Sequence, residues 1–187
     1  LHDALPISGM LVSRLGLRCV ATAGMALSAV SFYGLAMTDF SSQQVQAWIL
    51  MALLGFSAAS ALLASTAAIM AAAPAEKAAA AGAIETMAYE LGAGLGIAIF
   101  GLLLSRSFSA SILPPAGLNP QEMERASSSM GEAVQLAHSL PSSLSEALLT
   151  AAREAFTWSH SVALSSAGSM LIVLAIGMWF SLAKVQR

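Results

Sequence analysis

The sequence predicts an all-α integral membrane protein in which four hydrophobic helices each cross a bilayer and a long helical loop stands outside it before the last. Three observations lead there. Of the 187 residues, 57% are apolar and 10% charged, with a mean hydropathy of +0.76. Ordinary soluble domains carry roughly 25% charged residues, so a water-exposed surface is hard to build from this supply. Four windows, about 19–38, 47–73, 80–105 and 159–183, hold almost no charge apart from Glu85 and Glu90. A helix rising about 1.5 Å per residue needs about 20 apolar residues to cross roughly 30 Å of hydrocarbon, and each window is long enough. A soluble bundle would need a polar face on most of its helices, and 47–73 offers none. The third observation is the placement of the basic residues, taken up below.

In chain order, residues 1–7 are too few to complete a span. With His2, Asp3 and Pro6 they read as the frayed or non-native edge of a longer protein, of which this chain is a C-terminal fragment. No basic region precedes an apolar core and a small-residue cleavage site, so no cleavable signal peptide is expected. Residues 8–18 form a polar loop and 19–38 the first span. A turn at 39–46 without Lys or Arg leads to the second span, 47–73, which is rich in small residues: Gly55, Ser57, Ala58, Ser60, Ala61, Ala64, Ser65 and Ala68. Such residues let helix backbones approach closely. A short turn containing Lys77 precedes the third span, 80–105.

The loop at 105–158 is itself patterned. Pro114, Pro115, Gly117 and Pro120 mark an irregular start, and Asn119 or Pro120 opens a helix running to about His138. Ser139-Leu140-Pro141 breaks it, and 142–156 has helical spacing in Leu144, Ala147, Leu148, Ala151 and Ala155. A helical hairpin outside the membrane is the expectation, and 159–187 supplies the last span and its tail. Arg14 and Arg18, Lys77, and Lys184 and Arg187 all fall on one side of the bilayer, whereas the three Arg of the long loop are offset by five Glu. By the positive-inside rule the C-terminus is cytoplasmic and the 105–158 loop external.

Several function classes are disfavoured. The net charge of −2 and the scattered Lys and Arg argue against a nucleic-acid partner. Cys19 is the single cysteine, so no disulfide forms within the chain and no cysteine metal cluster is available. His2, His138 and His160 lie outside the membrane core or at its edge, no serine sits in a nucleophile motif, and no metal-ligand spacing is present. Enzyme chemistry is not expected.

The candidate functional residues lie in the third span. Glu85 is about one turn from its cytoplasmic end and Glu90 nearer the middle, where an ionised side chain costs at least ~2.5 kcal/mol, so each should face protein or water. That is a setting for proton coupling or cation binding, with Glu90 the first candidate for the protonated group and Glu85 the second. Five residues put the two acids about 140° apart around a helix, so Glu85 shares a face with Tyr89 and Thr86 with Glu90. Tyr89, Thr86 and Met87 are therefore candidate contacts. Gly92 and Gly96, in the run Gly92-Ala93-Gly94-Leu95-Gly96, form a packing face.

The stretch Gly9-Met10-Leu11-Val12-Ser13-Arg14-Leu15-Gly16-Leu17-Arg18 resembles the cytoplasmic loop signature of the major facilitator superfamily, with Gly9, Leu11, Arg14, Gly16 and Arg18 matching and Ser13 in place of the usual Asp. The glycines permit a tight turn and the arginines anchor it. Pro74-Ala75-Glu76-Lys77 with Gly82, the run from Leu91 to Gly101 and the long loop before the last span are similar to the fourteen-span drug:proton antiporters, closest to the branch exporting quaternary ammonium compounds and methyl viologen. The resemblance covers about residues 8–187. It implies two six-helix bundles rocking around a central site with two spans between them, of which this chain supplies the last four spans. It also implies a bacterial cytoplasmic membrane, no cofactor beyond the proton motive force, lipophilic cations as substrates, and the N-terminal spans of the same protein as partners. Members often carry Asn and Arg where Glu85 and Tyr89 stand, and an added carboxylate and aromatic suit cations. Export of a neutral or anionic compound, or a structural membrane subunit that scaffolds a partner, remain the alternatives.

Overall fold

The computed structural model describes residues 16–40 and 42–182, and among them all the regular secondary structure is helical, with no strand. Its helices are α1 (Leu17–Met37), α2 (Gln44–Ala72), α3 (Ala78–Ser111), α4 (Pro120–Ser128), α5 (Met130–Ala137) and α6 (Ser142–Leu182), with a 3₁₀ turn at Ala75–Lys77. Four segments, Leu17–Met37, Gln44–Ala72, Ala75–Ser111 and Ser142–Ser181, are long and apolar enough to cross a membrane. Gly9 and Arg14 of the loop motif, and Lys184 and Arg187 of the tail, lie outside the described residues.

Local chemistry explains where the helices stop. Gly16 precedes α1 at φ 81°, a left-handed conformation that glycine adopts without strain, so this glycine of the loop motif makes the turn into the helix. Pro74 lacks an N–H and forces the preceding residue out of the helical region; Ala73 is extended, at φ −87° and ψ 132°, and α2 ends there. Pro114 and Pro115 likewise bar continuation of α3, and Gly117 turns the chain at φ 111°.

α4 opens with a complete capping box. The Asn119 side chain accepts from the Glu122 N–H at 2.9 Å while the Glu122 carboxylate accepts from the Asn119 N–H at 2.8 Å, and Pro120 follows as the first helical residue. The helix expected to reach His138 is interrupted at Ser129, which is extended and caps α5 by accepting from the Glu132 N–H at 3.2 Å. Beyond Pro141, the segments read from sequence as 142–156 and 159–183 belong to one continuous helix, α6. Between them stand Thr157 and Trp158, neither a helix breaker, and no Gly or Pro occurs from Ser142 to Ala167.

The chain divides into two compact units, Leu1–Gly94 with Leu164–Arg187, and Leu95–Ala163. In the first, α1 and α2 meet through small residues. A Cβ on Gly24 would stand 3.0 Å from the Ser57 carbonyl oxygen and 3.1 Å from the Ala61 Cβ, and the buried Ser28 and Ser57 hydroxyls bond each other at 2.8 Å. Val20, Ala21 and Ala64 extend the contact, with Leu17 and Met178 packed beside them. On its other side α1 meets α6, where Tyr33 bonds Ser169 at 2.6 Å and lies against Gly168. The second unit has a core of larger side chains, Phe108, Ile112, Leu118, Leu136 and Leu148, closed by Ala126, Ala133 and Ala152.

The Gly24 contact yields a test. Gly24→Val should drive α1 and α2 apart and destabilise the full-length protein by about 1–3 kcal/mol, the usual cost of overpacking, read as a lower unfolding temperature in detergent.

Candidate functional site

Where α2 ends and α3 begins, the Ala73-Pro74 break and the 3₁₀ turn reverse the chain. Leu62, Ser65, Thr66 and Ile69, spaced along one face of α2, and Glu85, Thr86, Ala88 and Tyr89 of α3 line a groove of about 420 Å³. Within it the Thr66 hydroxyl donates to a carboxylate oxygen of Glu85. The neighbouring hydroxyls are turned to their own helices: Ser65 donates to the Leu62 carbonyl at 2.8 Å and Thr86 to that of Gly82 at 3.0 Å. Thr66 is therefore the hydroxyl that holds the acid.

Glu85 is half-buried, whereas Glu90 is exposed and is not part of the groove lining. The structure thus brings Glu85, Thr86 and Tyr89 together and leaves Glu90 apart, as does Met87, which is also exposed. Among the described residues no Lys or Arg pairs with either acid; the ion pair formed there is Arg125–Glu132 at 3.1 Å, in the other unit. Nor do those residues contain a group of three His, Cys, Asp or Glu able to hold a metal ion. The groove combines one carboxylate, a hydroxyl that orients it, a tyrosine ring and aliphatic walls. Such a set can take a proton or attract an apolar cation by charge and by the ring face.

The remaining motif residues fall elsewhere. A Cβ on Gly92 or Gly96 would meet nothing within 4 Å, so their packing face has no partner among the described residues. Arg18 lies with its guanidinium carbon 3.7 Å from the centre of the Trp179 ring. Sequence reasoning missed Thr66, although a signal existed. Thr66 stands nine residues before Ala75 and Glu85 nine after Glu76, so a reversal at that turn sets them opposite each other.

The chain is 84% identical over 182 residues to the methyl viologen resistance protein of Salmonella typhimurium, which covers 97% of this chain and 37% of that protein. It is 40% identical over 88 residues to a multidrug efflux pump of Mycolicibacterium smegmatis, 47% of this chain and 18% of the pump. It is 33% identical over 100 residues to the tetracenomycin C resistance and export protein of Streptomyces glaucescens, 54% of this chain and 19% of that protein. The chain thus spans little more than a third of the length of the Salmonella relative. No family model matches the sequence, and no solved structure matches it. All three relatives are named for drug resistance or efflux, and none for an enzymatic reaction.

The Thr66–Glu85 bond should be measurable as an energetic coupling. In a double-mutant cycle of Thr66→Val and Glu85→Leu in the full-length protein, thermal unfolding should give a non-additive term of about 0.6 kcal/mol, the typical value for hydrogen bonds between membrane helices.

Proposed function

We propose that this chain is the C-terminal part of a proton-coupled multidrug exporter that moves lipophilic cations, methyl viologen and quaternary ammonium compounds among them, out across the cytoplasmic membrane. The observation that carries the reading is Glu85, held by Thr66 and accompanied by Tyr89 in a groove with aliphatic walls. The 84% identity to a methyl viologen resistance protein supports the substrate class, since methyl viologen is a cation.

The four apolar helices are then the last four spans of a fourteen-span major facilitator antiporter, in which two bundles rock around a central site. In the cycle, Glu85 loses its proton and receives the cation, while Glu90, on another face of α3, is the second group through which protons pass. Proton entry from outside displaces the cation outward. The loop motif with Gly16 and Arg18 anchors the cytoplasmic side, and the Leu95–Ala163 unit contains the external loop. The bilayer, the cations and the N-terminal spans of the same protein are the partners.

The test is resistance to methyl viologen and efflux of ethidium in cells expressing the full-length parent, with and without a protonophore. Efflux should stop with the protonophore. Glu85→Gln should lower it about tenfold or more, equivalent to ~1.4 kcal/mol of lost interaction, and Glu90→Gln should uncouple it from the proton gradient. Normal efflux by both variants at equal expression would make the two acids structural. Efflux that ignores the protonophore would remove proton coupling from the account.

A further inference from the structure

Arg18 stands where α1 enters the apolar region and rests against the Trp179 ring, 3.7 Å from guanidinium carbon to ring centre. Among the described residues its buried Nε has no hydrogen-bond partner and no carboxylate pairs with the guanidinium. A buried polar group left unmatched in this way is uncommon and calls for an explanation. The ring occupies one face of the guanidinium and fixes its plane, while its charge has no anion to answer it among the described residues. In sequence Arg14 lies four residues before it, and Lys184 and Arg187 follow α6.

A groove of about 720 Å³ begins at the next residue and runs between α1 and α6. Cys19, Ala23 and Ala26 form one wall, and Ile172, Ile176 and Phe180 the other; no acid or base lines it. From Cys19 to Ala26 the wall rises about 10 Å, a third of the ~30 Å of hydrocarbon in a bilayer. A fixed cation at one end of an apolar channel matches a molecule with an anionic head and a hydrocarbon tail. Arginine's planar fork suits phosphate oxygens in particular.

We infer that the α1–α6 groove beside Arg18 is a binding site for one anionic phospholipid, its phosphate on the Arg18 guanidinium and an acyl chain between the two helices. The lipid supplies the counter-charge that Arg18 lacks among the described residues. It also fills a cleft bounded by the Arg18–Trp179 contact at one end and the Tyr33–Ser169 contact at the other. The inference rests on membrane embedding and does not depend on which compound is exported.

The test uses the full-length protein in mild detergent, titrated with dioleoyl phosphatidylglycerol or dioleoyl phosphatidylcholine and read by native mass spectrometry as lipids retained per protein. The wild type should hold one phosphatidylglycerol in preference to phosphatidylcholine. Arg18→Gln should reduce that preference about tenfold, the scale of a lost charge-assisted contact. Ala26→Phe, which keeps Arg18 but fills the groove, should lower phosphatidylglycerol retention as well, and glycerol phosphate, a headgroup without chains, should not be retained. Equal retention of the two lipids by the wild type, or unchanged phosphatidylglycerol retention in Arg18→Gln, overturns the site. Retention of glycerol phosphate as strong as that of the lipid overturns the role of the groove. If Arg18→Gln fails to yield monodisperse protein, Ala26→Phe decides alone, since Ala26 is exposed and its enlargement disturbs little besides the groove.

Discussion

Hydrocarbon offers no water to a backbone N–H or C=O, so each peptide group within the bilayer must find its hydrogen bond inside its own helix. That constraint produces the long uninterrupted helices of this chain and sends its prolines to the ends, at Pro74, Pro114, Pro115, Pro120 and Pro141. It also removes the usual force that joins helices, because lipid tails are as apolar as leucine. What remains is close packing and the occasional polar contact. The α1–α2 interface is built that way, from Gly24 against Ser57 and Ala61 and from the single bond between the Ser28 and Ser57 hydroxyls. Tyr33 with Ser169 and Thr66 with Glu85 also bond across helices, whereas other hydroxyls return to their own helix, as Ser31 does to Leu27 and Ser60 to Phe56.

Against this background a carboxylate in a span is conspicuous for what it needs. Glu85 is met by a hydroxyl from the facing helix, which fixes its direction without cancelling its charge, as the proposed exchange of a proton for a cation requires. An arginine in the same place would have sealed the charge in a pair. The second unit follows the rules of water-soluble proteins instead. There Asn119, Ser129 and Glu122 cap short helices, Arg125 pairs with Glu132, and Phe108, Leu136 and Leu148 fill a core. Both α3 and α6 pass from one regime to the other within a single helix.

Much of this was legible in the sequence because it rests on composition over many residues. The scarcity of charge over 19–38 and 47–73 and the prolines between spans needed no tertiary information. The break at Ser129 was less visible, although Ser129-Met130-Gly131-Glu132 has the spacing of a capping box, because the longer pattern from Pro120 to His138 also reads as one helix. The continuity of α6 was hidden for the opposite reason: hydropathy falls before Trp158 while helical geometry does not. The relation of Glu85 to Tyr89 came from the 3.6-residue period alone. Thr66 and Trp179 answer to Glu85 and Arg18 across helices, 19 and 161 residues away, and periodicity within one helix carries no such pairing.

The account centres on a proton and a cation contending for one carboxylate. Binding of methyl viologen to purified full-length protein, followed by calorimetry as the medium is acidified, addresses that directly. Affinity in the wild type should weaken progressively with acidification, and the weakening should vanish in Glu85→Gln, which binds poorly throughout. A Glu85→Gln protein that binds as tightly as wild type and with the same dependence on acidity would contradict it.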